Sequence, residues 1–234
     1  MNTTPLELNP RPRNRPMHTV VVVFGLALFC LLFLFVDQAY YRFISARFPN
    51  AGTSAWTATL FGLVSRAHVI IPLLLIVLRR PRPLGFTRGQ TRRYWRSLFV
   101  VLVVNCGVVA GYLWLTGSST PYSGNPWFVT ETITVPIVEE TMWRGLVLTV
   151  LLVVFGQSYS SRTSEHLAVW LGGLAFGFLH AGNALAGVPL AFVAVQVLNA
   201  TIWGVVYGYV RTRTESIYPS ILLHAAMNLV VVLA

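Results

Sequence analysis

Val138-Glu139-Glu140-Thr141-Met142-Trp143-Arg144-Gly145 sets two adjacent carboxylates and an arginine between flanks, residues 132–136 and 146–155, that are almost wholly apolar. In hydrocarbon a single ionisable group at a helix centre costs roughly 2.5–3.5 kcal/mol on insertion scales. Three together need partners, and the rest of the chain supplies them. Composition fixes the surroundings: 55% of the residues are apolar and 10% charged, with a mean hydropathy of +0.66. A soluble domain carries about 25% charged residues, so the chain reads as an integral membrane protein.

Membrane helices of about 20 residues fit several times into 234 residues and leave no room for a soluble domain. Apolar runs over 19–36, 57–78, 97–116, 127–155, 166–180, 189–210 and 216–234 predict an all-α, polytopic membrane helical bundle of about seven transmembrane helices. The range is six to eight, because Pro136 can divide the long fourth run; proline frees the carbonyl four residues back, that of Thr132. The second run is interrupted by Arg66, His68 and Pro72. Residues 1–18 read as a polar, disordered cytoplasmic arm and 19–234 as one membrane domain. The run 19–36 ends at Asp37-Gln38 without a small-residue cleavage site, which argues for a span over a signal peptide.

The net charge of +10 comes from arginine alone, since the chain has no lysine. The arginines cluster in the N-terminal arm, in residues 79–96, and at Arg162, Arg211 and Arg213, against only Arg42 and Arg47 in loops of the other side. This asymmetry predicts a cytoplasmic N-terminus and contact with membrane lipid, with no nucleic-acid partner. Cys30 and Cys106 lie in mid-span, away from any oxidising compartment, and predict no disulfide.

Helix geometry orders the polar residues. Glu140 and Arg144 are four apart and can pair on one face, with the acid N-terminal. Glu139 lies about 100° round the helix, has no such partner, and is left available to accept a proton as a general base must. Phe176 and His180 share a face of another helix, where Gly173-x-x-x-Gly177 lets a neighbouring backbone approach closely. His224 and Asn228 share a face of the last span, and both can donate to a developing oxyanion. Taken singly, each has a plainer reading: a packing ion pair, an interfacial histidine, an interhelical hydrogen-bonding pair. Arg66 and His68 read as snorkelling or as pairing with an acid such as Glu131.

Glu-Glu-x-x-x-Arg, Phe-x-x-x-His and His-x-x-x-Asn, in this order and in successive spans, resemble the CAAX protease and bacteriocin-processing family, also called the Abi family. The run Arg211-Thr212-Arg213-Thr214-Glu215-Ser216-Ile217-Tyr218-Pro219 resembles that family's approach to its last motif. The resemblance covers roughly residues 127–234 and implies an intramembrane endopeptidase. Carried over by position, Glu139 and His180 would activate a water, and His224 and Asn228 would hold the oxyanion. Glu140, Arg144 and Phe176 match motif positions in supporting roles. No cofactor is favoured; if zinc is used, Glu139, His180 and His224 would be its ligands, although His-Glu-x-x-His is absent. An aspartyl dyad is excluded because Asp37 is the only aspartate. No Gly-x-Ser-Gly supplies a serine nucleophile either.

Two other classes fit part of the pattern. A proton-coupled transporter would relay protons through Glu139 and Glu140, and would be expected to carry an internal repeat of the broken span. A non-catalytic membrane immunity or scaffold protein would use the same cavity for binding. For a protease, the expected substrates are peptides or membrane-anchored proteins. The arginine-only basic complement points to a bacterial plasma membrane.

Overall fold

A computed structural model describes residues 15–117 and 125–233. Most of the expected N-terminal arm and of the uncharged turn before Trp127 lies outside the described residues. Among those described there is no strand, and the chain is an all-α membrane bundle.

The helices are α1 (Arg15–Ser45), α2 (Ala55–Val64), α3 (Ala67–Arg79), α4 (Trp95–Thr116), α5 (Val135–Glu140), α6 (Leu148–Gly156), α7 (Ser161–Leu179), α8 (Leu190–Thr214) and α9 (Tyr218–Leu233). Two π-helical stretches, Thr130–Thr134 and Thr141–Val147, join α5 and α6 into one helical run from Thr130 to Gly156. With that run as one segment and α2 and α3 as a bent pair, the described residues hold seven segments. Four helices cross the length and hydropathy needed for a span by themselves, and the bent pair makes a fifth. α9, with 16 residues, is shorter.

Several boundaries differ from the sequence reading, for local reasons. α1 starts at Arg15, so residues 15–18 are helical rather than part of a disordered arm, and it runs on to Ser45, beyond the apolar run 19–36. The Tyr40 hydroxyl donates to the Val64 carbonyl at 3.0 Å, tying that extension to α2. The second segment breaks at Ser65-Arg66 with a bend of 67°, and Pro72 sits inside α3 without ending it. α2 begins at a capping box, in which Ser54 accepts from the Thr57 N–H and Thr57 accepts in return.

Small residues set the tightest interface, that of α7 with α8. A Cβ on Gly173 would meet the Val205 backbone nitrogen at 2.8 Å, and one on Gly177 would meet the Val197 carbonyl at 2.9 Å. The Gly173-x-x-x-Gly177 pair therefore does what its spacing predicts. Because backbones come this close, α7 delivers Phe176 and His180 to the bundle interior.

The start of α9 is fixed from the first half of the chain. Residues 83–90, in the arginine-rich loop, lie along the α8–α9 turn. Gln90 N–H donates to the Thr214 carbonyl at 2.6 Å, Ile217 N–H to the Gly85 carbonyl at 2.9 Å, and Ser216 Oγ to the Thr87 carbonyl at 2.7 Å. The turn contains Glu215 at φ 56°, a left-handed conformation unusual for a non-glycine residue. Hydrogen bonds from Thr87 Oγ1 and Gln90 Nε2 hold Glu215 in place.

Candidate active site

The Glu-Glu-x-x-x-Arg residues sit where α5 passes into the second π stretch. Arg144 Nη1 lies 3.1 Å from Glu140 Oε1, the pairing expected four residues apart. Glu140 is fully buried and Arg144 is 3% exposed, so the two form a neutral unit away from lipid and water. No N–H at the guanidinium's Nη1 or Nη2 is aligned on an acceptor, so the contact is ionic rather than a directed hydrogen bond. The guanidinium instead stacks, with Cζ 4.3 Å from the Phe176 ring centroid and 5.6 Å from that of Tyr207.

α9 brings His224 to the same carboxylate. Its Nδ1 is 2.9 Å from Glu140 Oε1, and its Nε2 is 4.0 Å from Glu139 Oε2. An ionised carboxylate can only accept. With Glu140 held as a carboxylate by Arg144, Nδ1 carries a proton and Nε2 is the nitrogen turned towards Glu139. The sequence reading gave Glu140 mainly the task of holding its own helix; in the fold it orients the histidine of a different helix. Glu139 is partly exposed, its side chain 27% accessible, and its Oε2 has no protein hydrogen-bond donor.

His180 closes α7 as its C-terminal cap residue. Its Nδ1 lies 2.9 Å from the Phe176 carbonyl, a contact that puts the proton on Nδ1 and leaves Nε2 as the free basic nitrogen. Phe176 is the hub of the site. Its ring centroid is 4.8 Å from that of His180, 6.3 Å from that of His224 and 5.9 Å from that of Trp143. The ion-pair contacts at the site all run through Arg144 and His224; His180 joins it through Phe176.

Asn228, one turn beyond His224, donates from Nδ2 to the Glu131 carbonyl at 2.8 Å. That leaves the second N–H of its amide uncommitted. The side-chain contact of Arg66 is with the Gly62 carbonyl, which its Nη1 reaches at 3.4 Å, rather than an ion pair with Glu131. His68 takes a different partner, Asp37 on α1, with Nε2 3.2 Å from Oδ1.

Two residues the motifs did not single out complete the back wall. Tyr207, 1% exposed, lies 6.1 Å from the His224 ring, and its hydroxyl is hydrogen-bonded by Asn105 of α4. Asn105 was visible as a lone amide in an apolar span, which must find a partner to be stable there. The sequence does not say that the partner is Tyr207.

The fold thus draws Glu139, Glu140, Arg144, Phe176 and His224 into one cluster, with His180 and Asn228 at its edges. Among the described residues no three histidine, cysteine, aspartate or glutamate side chains are grouped as metal ligands. His224 has Nδ1 engaged by Glu140 and His180 has its own engaged by a backbone carbonyl, which leaves Nε2 as the ring nitrogen open to a ligand in each.

No curated protein and no solved structure is similar enough to match the chain. A family model does match, described as type II CAAX prenyl endopeptidase Rce1-like, over residues 121–230. Every motif residue of the cluster, from Glu139 to Asn228, falls inside that stretch. The match spans just under half of the chain, and over residues 121–230 this integral membrane protein is similar to the Rce1-like family of type II CAAX prenyl endopeptidases.

Proposed function

We propose that the cluster hydrolyses a peptide bond by direct activation of water, without a bound metal. The observation that carries this reading is the position of the His224 ring, 2.9 Å from Glu140 at one nitrogen and 4.0 Å from Glu139 at the other. It joins the first and third motifs through one imidazole, with Glu140 at one nitrogen and Glu139 at the other. The Glu139 carboxylate takes a proton from water, with His180 Nε2 as the second basic group, and the hydroxide attacks the scissile carbonyl carbon. With both ring nitrogens protonated, His224 donates Nδ1–H to Glu140 and Nε2–H to the developing oxyanion. The free N–H of Asn228 is the second donor. Collapse of the tetrahedral intermediate breaks the C–N bond, and the proton held by Glu139 passes to the leaving amine.

The family's described activity points to substrates that are membrane-associated proteins or peptides. The orientation we propose keeps the N-terminus in the cytoplasm of a bacterial cell. Its support is that residues 79–96 and the α8–α9 turn, which together carry most of the loop arginines, are bonded to one another at one end of the bundle. Arg42, near the Leu185 carbonyl, lies with a different set of loops.

The test is hydrolysis of a peptide library by detergent-solubilised protein, with and without a chelator. Cleavage that survives the chelator and falls about 10²–10⁴-fold in Glu139→Gln and His180→Ala supports the proposal. Loss of cleavage to the chelator, or either variant working at the wild-type rate, defeats it.

A further inference from the structure

We infer that Pro136 is a positioning residue for Asn228, acting through a backbone carbonyl that it leaves without a helical partner. This rests on the role proposed above for Asn228 as an oxyanion donor.

The geometry is local. In the stretch Thr130–Thr134 the helix is wound in the π register, and Val135 N–H bonds to the Thr130 carbonyl, five residues back. The next carbonyl is that of Glu131. Its α-helical donor would be Val135 N–H, already committed to Thr130. Its π-helical donor would be the nitrogen of residue 136, which is proline and has no hydrogen to give. The Glu131 carbonyl is therefore left without an intrahelical donor, at a depth where an unpaired carbonyl is costly. The side chain that satisfies it is Asn228, with Nδ2 at 2.8 Å.

Two results follow from one missing N–H. The Asn228 amide is held by a fixed acceptor, and an amide with two N–H groups keeps one for a ligand. The acceptor is itself braced from the first half of the chain, because Thr130 Oγ1 donates to the Ala58 carbonyl at 3.1 Å. A Cβ on Gly62 would come within 2.6 Å of the Thr130 side chain, so α2 lies directly on the π stretch. A residue with a hydrogen at position 136 would compete with Asn228 for the Glu131 carbonyl and release the amide from its orientation.

The experiment is a double-mutant cycle on cleavage by the full-length protein, with Pro136→Val, Asn228→Ala and the double variant. Valine keeps much of the volume of the buried proline and restores the N–H; Pro136→Ala restores the same N–H with less bulk. Asn228→Ala is expected to lower kcat about 10²–10³-fold, as for loss of an oxyanion donor. Pro136→Val and Pro136→Ala are each expected to lower kcat about tenfold or more with KM unchanged, as for an interaction made only in the transition state. In the Asn228→Ala background the same changes are expected to cost nothing further, since residues acting through one contact are non-additive. The thermal midpoint of Pro136→Val should not fall, because a helical hydrogen bond is gained.

Additive losses, an unchanged kcat in both position-136 variants, or failure of Pro136→Val to fold would each overturn the inference. Full activity in Asn228→Ala would instead remove Asn228 from the oxyanion role and take the proposed mechanism with it.

Discussion

Among the described residues two histidines of this bundle meet carboxylates, one in each half of the chain. His224 meets Glu140 at 2.9 Å with side-chain exposures of 5% and 0%, and His68 meets Asp37 at 3.2 Å with exposures of 17% and 34%. The pairs share their chemistry and differ in what surrounds them. Glu140 also holds a buried arginine, and a second carboxylate waits at the far nitrogen of the imidazole. Among the described residues Asp37 has no cation beyond His68, whose ring rests on Tyr40 at 4.6 Å and faces Phe33 at 6.3 Å. The difference teaches that a buried acid–imidazole contact becomes a candidate for catalysis when a third and fourth charged group fix its protons. With aromatic neighbours alone, it ties two helices together.

The strongest way to break that contrast is to remove the charge at Glu140. Glu140→Gln leaves the Arg144 guanidinium buried without an anion and gives His224 a neutral amide in place of a charged acceptor. Removing one partner of a buried pair costs about 3–5 kcal/mol, so a large drop in the thermal midpoint in detergent is expected together with loss of cleavage. A midpoint unchanged from wild type would mean that the pair is solvated and the enclosure described above is wrong.

A smaller effect is expected at the α7–α8 contact. Gly177→Val drives a side chain into the Thr201 hydroxyl and the Val197 carbonyl, and overpacking costs about 1–3 kcal/mol. Because α7 carries Phe176 and His180, cleavage should fall as well, and a revertant at Thr201→Gly should recover part of both. Recovery of stability without activity would separate packing from the placing of His180.

The smallest effect belongs to the first-half pair. Asp37→Asn is expected to shift stability by about 0–1 kcal/mol, the range of partly exposed ion pairs, and to leave the rate of peptide cleavage as it was. A clear loss of rate with the fold intact would bring His68 into the functional centre and erase the distinction between the two pairs.

Much of this was legible along the chain because helices report their own faces. The i, i+4 spacing alone paired Glu140 with Arg144 and put Phe176 beside His180, since these contacts are made within one helix. The glycine spacing likewise announced a close backbone approach before α8 was known to be the partner. Segment ends were less readable. Ala39 to Ser45 lacks the hydrocarbon pattern of a span yet stays helical, with Tyr40 bonded to the Val64 carbonyl of α2 and the Tyr41 ring against Phe61.

What the sequence by itself determined is the membrane-embedded, all-helical class, the approximate number of segments and the within-helix pairs. All of these follow from hydropathy and from the 3.6-residue repeat. Only the tertiary structure decided that Glu140 orients His224, that His180 reaches the cluster through Phe176, that Tyr207 and Asn105 form its back wall, and that Asn228 rests on the Glu131 carbonyl. Those contacts join residues distant along the chain. They depend on how closely helices pack, how each is rotated about its axis and where its hydrogen-bond register slips, and no local spacing encodes these.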